Sequence, residues 1–224
     1  MSANLSNKNI MAQSPVHNGT ISTGEKQTSN SRKCMHATPL ISQHVYIVDE
    51  TGKKLEVIIN SIGEWLLSRK EYFDIFARND TRLESWFKAE ILVLFSRLMK
   101  EGVVDAFERE PSLHDETGKR LQIDFSVTIQ GAKHYFELKA LCISQSKGTP
   151  RNLSFYFRDN NVGIIKDFKK LDRIRTKNKW VVAFVYPKPS EENWSKITNR
   201  LSRWKCLTDL KDYPNHIFIA LFQS

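Results

Sequence analysis

The chain has 224 residues, 40% of them hydrophobic, which is enough to bury one full core. Lys and Arg outnumber Asp and Glu by 34 to 25, and the net charge of +9 favours an anionic partner, most simply a nucleic acid. The 3 cysteines form no disulfide framework, and no apolar run approaches the roughly 20 residues of a membrane span. We therefore expect a soluble cytoplasmic protein that makes no contact with a membrane.

The first 80 residues are interpreted as two segments. Residues 1–40 contain no Phe, Trp or Tyr and are rich in polar residues, so we expect a disordered tail. Residues 41–80 are predicted to form a pair of strands and a helix. The strands are two short apolar runs at residues 44–48 and 55–59, and the helix follows from the apolar spacing in residues 61–77. Residues 81–224 then form the main domain.

The main domain begins with a predicted helix from Thr81 to Lys100 that carries two acids of interest. Thr81 and Glu84 match a capping box, which gives Glu84 a structural role. Glu90 falls on the apolar stripe of the same helix, where a carboxylate is costly unless it meets a cation or hydrogen-bond donors. Lys139 or a metal would be such a partner for Glu90. The alternative is an ion pair between Glu90 and Arg97.

Residues 121–141 are predicted to form a β-hairpin. Apolar and polar residues alternate from Leu121 to Ile129, which is typical of a strand and turns Asp124 away from the apolar set. In the second half of the hairpin, Glu137 and Lys139 lie on one side of the strand.

The turn of this hairpin sets the register of its strands. A two-residue turn at residues 131–132 places Asp124 opposite Lys139 and diagonal to Glu137, on a shared face. Two carboxylates and an ammonium group that converge in this way suit a hard divalent cation such as Mg²⁺. The sequence therefore predicts a metal site on the hairpin.

The motif formed by Asp124 and Glu137-Leu138-Lys139 resembles that of the PD-(D/E)xK nuclease superfamily, which has the restriction-endonuclease-like fold. Ile123 stands where the family's name has Pro, a departure that is common in the superfamily. The resemblance implies that Asp124 and Glu137 hold Mg²⁺, for which Mn²⁺ can substitute. It also implies that the Leu138 carbonyl adds a ligand. Lys139 would position or activate the attacking water.

Many members of this superfamily carry a further acid on the helix before the core hairpin. Glu90 is our first choice for this catalytic acid. Glu84 is the reserve, because some families carry both acids in an E-x-x-x-x-x-E helix, a spacing that this sequence repeats.

A strongly basic stretch follows the hairpin in residues 151–179. Its apolar positions from Ile164 to Ile174 predict an amphipathic helix with a cationic outer face. Residues 167–171, DFKKL, also resemble the D-x-x-K-L helix found after the E-x-K strand in several superfamily members. We expect four side chains of this helix to bind the nucleic-acid backbone. They are Lys166, Lys169, Lys170 and Arg173.

The remaining elements complete an α/β pattern. Residues 103–110, 180–186 and 217–222 are predicted as strands, and a helix capped at Ser190 runs to Trp204. From residue 81 the order is helix, three strands, helix, strand, helix, strand. This order fits a restriction-endonuclease-like core, with a mixed central β-sheet flanked by helices.

The expected function is a Mg²⁺-dependent endonuclease that hydrolyses phosphodiester bonds in DNA. One alternative is a catalytically inactive nucleic-acid-binding or assembly subunit on the same fold. Another is a plain α/β interaction protein with a chance motif. The residues leave open the substrate structure, the recognition sequence, endonuclease against exonuclease action, and the biological role. Cleavage of both DNA strands by a protein with one site would call for a homodimer.

Overall fold

The computed structural model of the chain describes residues 50–79, 81, 83–143, 152–201, 203–213 and 216–224. The helices in this part are α1 (Glu50–Leu67), α2 (Lys70–Arg78), α3 (Glu84–Lys100), α4 (Leu153–Tyr156), α5 (Ile164–Leu171) and α6 (Glu191–Thr198). The strands are β1 (Ala106–Arg109), β2 (Ser112–His114), β3 (Arg120–Gln122), β4 (Phe125–Ile129), β5 (Ala132–Cys142), β6 (Lys179–Tyr186), β7 (Lys205–Cys206) and β8 (Phe218–Gln223).

A mixed sheet of six strands forms the centre of the molecule, in the order β1-β4-β5-β6-β8-β7. Only the pairing of β5 with β6 is parallel; the other neighbours are antiparallel. Strands β2 and β3 form a separate two-stranded sheet. The prediction of an α/β protein with a mixed central sheet and flanking helices is therefore confirmed.

The hairpin of β4 and β5 is present, but its turn lies one residue earlier than predicted. Gln130 and Gly131 occupy the turn with φ of 51° and 75°. Ile129 therefore pairs with Ala132. Positive φ at both central residues matches the right-handed twist of the flanking strands. Moving the turn by one residue shifts the pairing of the two strands by two residues, so Asp124 comes to lie opposite Glu137 instead of Lys139. Side chains alternate with a period of two, and Asp124 therefore keeps the predicted face.

The prediction for the N-terminal part needs correction. Residues 55–59 belong to helix α1 and not to a strand. Leu55, Ile58, Ile59 and Ile62 are fully buried, and their spacing follows one helix face. The predicted helix over residues 61–77 is divided between α1 and α2. The predicted tail, residues 1–40, and the first predicted strand, residues 44–48, lie outside the described residues.

The helices after the hairpin are shorter than predicted. The basic stretch contains α4 and α5, which are separated by a loop that ends at Gly163. A Cβ atom at Gly163 would lie 2.2 Å from the carbonyl oxygen of Arg158, so only glycine fits there. Ser190 caps α6 as predicted, because its side chain accepts a hydrogen bond from the amide of Asn193. That helix ends at Thr198 and not at Trp204.

One hydrophobic core joins the helices to the sheet. The ring centroid of Phe73 in α2 lies 4.8 Å from that of Phe184 in β6, and the ring of Phe95 in α3 lies 5.4 Å from that of Phe125 in β4. Residues 50–79 thus pack on the same core as the segment that follows them. Among the described helices, none combines the length and apolar character needed to cross a membrane.

Candidate functional site

The backbone of β5 fixes the position of Asp124. This residue directly precedes β4, and its Oδ2 accepts a hydrogen bond of 2.8 Å from the amide of Leu138. Leu138 lies between Glu137 and Lys139 on β5. The Asp124 carboxylate is therefore held beside the backbone between Glu137 and Lys139, and it lies close enough to Glu137 to affect its charge. The described contacts of the Lys139 ammonium are instead with Glu84 and Asp167.

Glu137 is an almost fully buried acid, with 2% of its surface exposed. Burial raises the pKa of Glu137 to about 8, and the neighbouring carboxylate of Asp124 acts in the same direction, whereas Lys170 opposes the shift. Its Oε1 lies 2.5 Å from Nζ of Lys170, yet it makes no hydrogen bond of regular geometry. Lys170 is thus the described ion-pair partner of this buried oxygen.

Lys139 lies between two carboxylates. Its Nζ is 2.9 Å from Oε2 of Glu84 and 3.2 Å from Oδ2 of Asp167, and the side chain is only 8% exposed. Burial alone would lower the pKa of Lys139, but the charges of Asp167 and Glu84 outweigh it, and the pKa is raised. Lys139 therefore carries its positive charge at neutral pH.

Glu84, the reserve acid, is the residue of helix α3 that reaches the site. Its two oxygens meet Lys139 and Lys88, and its pKa is lowered by these lysines despite the opposing effect of burial. The predicted capping box is wrong: Leu83 holds the N-cap position, and no side chain caps the helix. The carboxylate of Glu84 is engaged with lysines and not with the end of the helix.

Glu90, the first choice for the helix acid, lies elsewhere. Its Oε2 accepts a hydrogen bond of 2.7 Å from the indole of Trp65 and lies 2.8 Å from Nε of Arg69. Six residues separate Glu90 from Glu84, which corresponds to about 240° around a helix. Glu90 therefore faces the end of α1, and its cationic partner is Arg69 and neither Lys139 nor Arg97. The placement of Glu90 at the site is corrected accordingly.

Helix α5 contributes two residues of the DFKKL segment to the site. Asp167 is buried beside Lys139, and burial raises the pKa of this carboxyl against the effect of the lysine. Lys170 reaches Glu137 and also donates a hydrogen bond of 3.1 Å to the carbonyl of Gln122. A lysine that was predicted to bind nucleic acid is therefore part of the acidic site.

The three other basic residues predicted for nucleic-acid binding lie away from this cluster. Lys166 is exposed on α5. Lys169 pairs with Asp159, and Arg173 pairs with Asp115. Arg173 also follows the end of α5, which the prediction had extended to residue 174. A role for these residues in binding nucleic acid remains a prediction.

The sequence interpretation named Asp167 only as part of the DFKKL resemblance, and it missed Lys88 altogether. Its Nζ lies 2.8 Å from Oδ1 of Asp124 and 3.0 Å from Oε1 of Glu84, so it joins the helix acid to the hairpin acid. Burial alone would lower the pKa of Lys88, but the charges of Asp124 and Glu84 outweigh this effect and raise the pKa. The side chain therefore stays charged. The signal in the sequence was the i, i+4 spacing from Glu84, which places both side chains on one helix face.

The residues that meet at this place form a cluster of acids and lysines. We call it the carboxylate–lysine cluster; its members are Glu84, Lys88, Asp124, Glu137, Lys139, Asp167 and Lys170. Four carboxylates thus face three ammonium groups. In the described part of the chain, no group of three or more Asp, Glu, His or Cys side chains is arranged to hold a metal. Mg²⁺, however, is usually held by one or two carboxylates and keeps several waters. The neighbouring carboxylates of Asp124 and Glu137 supply two oxygen ligands of that kind.

A cleft of about 380 Å³ opens beside the cluster. The residues that line it include Glu84, Lys139, Phe155 and Val162. Val162 is 48% exposed, so apolar surface is accessible there. The cleft gives a ligand access to the buried end of Lys139.

Comparison with known proteins adds no relative to this picture. The chain matches no family model, no curated protein and no solved structure. The functional assignment therefore depends on the residues of the site.

Proposed function

We propose that the protein is a Mg²⁺-dependent nuclease of the PD-(D/E)xK superfamily that hydrolyses phosphodiester bonds in DNA. The observation that carries this proposal is the hydrogen bond from the Leu138 amide to Asp124. This bond joins Asp124 to a strand on which Glu137 and Lys139 flank Leu138. A chance match to the motif would not require Asp124 to bind the backbone between Glu137 and Lys139.

The arrangement of the sheet supports the same proposal. Helix α3 is followed by the antiparallel strands β1, β4 and β5 of the central sheet, then by α5 and by β6, which is parallel to β5. This succession is similar to the core that the resemblance implies, and it brings both α3 and α5 to the strand that carries the motif.

The metal would be held by Asp124 and Glu137, and the carbonyl of Leu138 remains a predicted further ligand. A bound Mg²⁺ supplies Lewis-acid chemistry, because it polarises a phosphate oxygen and lowers the pKa of water. The protein would hold both ligands in place, because Asp124 is bound by the backbone of β5 and Glu137 is buried within the sheet. Mn²⁺ is expected to substitute for Mg²⁺.

Lys139 acts through its charge. Because its pKa is raised, the ammonium group keeps its proton and can orient a water molecule or stabilise the negative charge that develops on the phosphate. Glu84 and Asp167 hold this ammonium from two sides. They are therefore positioning residues, and Lys139 is the catalytic residue that they serve.

Plasmid and oligonucleotide cleavage with Mg²⁺ or Mn²⁺ tests the proposal, on duplex, nicked, branched and single-stranded substrates and on RNA. We expect Asp124→Asn and Lys139→Ala to reduce the cleavage rate by about 10²–10³-fold, because each removes a charge that the transition state needs. Asp159→Asn and Lys100→Ala are the matched controls, since both remove a charge of the same sign at an exposed position. Cleavage at the wild-type rate by either site variant would refute the assignment.

A catalytically inactive nucleic-acid-binding or assembly subunit is the second candidate. One observation favours it: Lys88 and Lys170 already pair with the two carboxylates that a metal would need. Calorimetric titration with Mg²⁺ or Mn²⁺ distinguishes the two candidates. A nuclease should show a metal site that is lost in Glu137→Ala, whereas a binding subunit should show none.

A further inference from the structure

Lys88 and Lys170 each lie beside one of the two proposed metal ligands. Lys88 Nζ is 2.8 Å from Oδ1 of Asp124, and Lys170 Nζ is 2.5 Å from Oε1 of Glu137. Each proposed metal ligand therefore meets one ammonium group, and the two ammonium groups come from different helices. Together they carry the same charge as one divalent cation.

The lysines are the partners that can move. Their side chains are 31% and 26% exposed, whereas the carboxylates of Asp124 and Glu137 are 13% and 3% exposed. A lysine side chain is a compact charge on a flexible stem, so its head can leave while the stem stays in place. The carboxylates cannot follow, because one is bound by the β5 backbone and the other lies within the sheet.

We propose that a divalent cation displaces Lys88 and Lys170 from these carboxylates, and that the two released ammonium groups bind backbone phosphates next to the scissile bond. This inference depends on the proposed function, which supplies the metal and the substrate. A dication and two ammonium groups repel one another at these distances. Phosphates entering with the substrate remove that repulsion, since lysine binds phosphate readily as a point charge.

Each lysine retains a second contact that keeps it near the site. Lys170 donates to the carbonyl of Gln122 at 3.1 Å, and Lys88 lies 3.0 Å from Oε1 of Glu84. Neither contact involves a proposed metal ligand. The lysines would therefore stay at the rim of the site after the exchange. The exchange couples the two binding events. Metal binding releases the lysines that bind the phosphates, and DNA binding raises the affinity of the site for the metal.

Metal titration of variants provides the first test. Lys88→Gln and Lys170→Gln remove a competing charge, and we expect each to bind Mg²⁺ or Mn²⁺ about tenfold more tightly than the wild type in the absence of DNA. Lys100→Gln on α3 and Lys196→Gln on α6 remove the same charge from exposed positions outside the cluster. Their metal affinity should equal that of the wild type.

The salt dependence of DNA binding provides the second test. With Ca²⁺ as the divalent cation and intact DNA verified on gels, the slope of log K against log salt should be smaller by about 0.9 in Lys88→Gln and in Lys170→Gln. Without a divalent cation the slopes of both variants should match that of the wild type, because the lysines are then held by carboxylates. Replacing a lysine that has only a structural role would not lower the slope with a divalent cation while leaving it unchanged without one.

The outcomes separate the inference from the function beneath it. A wild-type protein that binds no divalent cation would refute the proposed function and the exchange together. A wild-type protein that binds metal, with both variants binding it no more tightly, would overturn the exchange alone. Circular dichroism and thermal unfolding verify that each variant is folded. If Lys170→Gln fails to fold, Lys88→Gln decides the result by the same measurements.

Discussion

Helix α3 presents two acids to two very different surroundings. Near its middle, Glu90 meets the guanidinium of Arg69 and the indole N–H of Trp65, and Arg69 also lies 3.9 Å from the centroid of the Trp65 ring. At its start, Glu84 meets Lys88 and Lys139. Both acids are paired with cations, so the presence of an ion pair does not separate a structural site from a functional one.

The difference lies in what else each cation contacts. Arg69 stacks on Trp65, and both bind the carboxylate of Glu90. The three side chains thus contact one another, and these contacts connect Glu90 to no second acid. Each lysine beside Glu84 also reaches another acid, and the chain of charges continues to two further elements of the fold. The first arrangement suits a fixed contact between helices. The second can exchange partners, as a site that binds ions and phosphates must.

The largest expected effect is on cleavage. Glu84→Gln should lower the rate by about 10–100-fold, because Lys139 loses one of the two carboxylates that orient it. Glu90→Gln should leave the rate within about twofold of wild type. Single-turnover kinetics on one DNA substrate measures both variants. Equal losses in the two would break the distinction between them.

The next effect concerns pH. The pKa of Glu137 is raised from its usual 4.5 to about 8, so below pH 8 a proton competes with the metal for this carboxyl. Mg²⁺ affinity should rise by about tenfold per pH unit between pH 6 and 8, then level off. In metal-free protein the sign is opposite for stability, which should fall as pH rises from 4.5 to 8.

Calorimetry at several pH values measures the affinity, and urea unfolding at the same values measures the stability. Glu137→Gln is the control for the second measurement, because it cannot ionise. A metal affinity that stays constant across this range would contradict the raised pKa.

The smallest effect is on stability at neutral pH. Glu90→Ala should cost about 1–3 kcal/mol of the free energy of unfolding, since it leaves Arg69 and the indole N–H without their shared acceptor. Glu84→Ala should cost less than about 1 kcal/mol, because this carboxylate is 38% exposed and its lysines keep other partners. Urea unfolding without metal tests both, and a reversed order would refute the structural role of Glu90.

Sequence patterns with one interpretation gave the correct fold elements. The continuous apolar run in residues 180–186 corresponds to a strand of the central sheet. The alternating segment, residues 121–129, was predicted as one strand but is divided: residues 125–129 form β4 of the central sheet, and residues 120–122 form β3, which pairs with β2. Residues 55–59 were misinterpreted, because a short apolar run fits a strand and one face of a buried helix equally well. The turn of the hairpin also shifted, since nothing in the side chain of Gln130 signals its positive φ.

For the site, the hairpin could be predicted because a strand has only two faces. A one-residue shift of the turn therefore left Asp124 with Glu137 and Lys139. The helix acid could not be chosen in the same way. Glu90 lies on the apolar stripe, but its partners are Trp65 of α1 and Arg69, which follows α1, and the packing of this segment on α3 could not be read from the sequence. Lys88 was missed because its role depends on the packing of α3 against the hairpin.

The hydrogen bond between Asp124 and Leu138 has a second consequence. The described pairing of β4 with β5 ends at Phe136, whereas β5 continues to Cys142, so the last part of this strand has no β4 partner on that side. These residues are mostly buried, so backbone groups without a strand partner there need other hydrogen-bond partners. Asp124 takes up the Leu138 amide, and the hydroxyl of Tyr156 donates to the Cys142 carbonyl. Asp124 thus has two roles: it is a proposed metal ligand, and it takes part in the hydrogen bonding of β5 beyond the last described pair with β4.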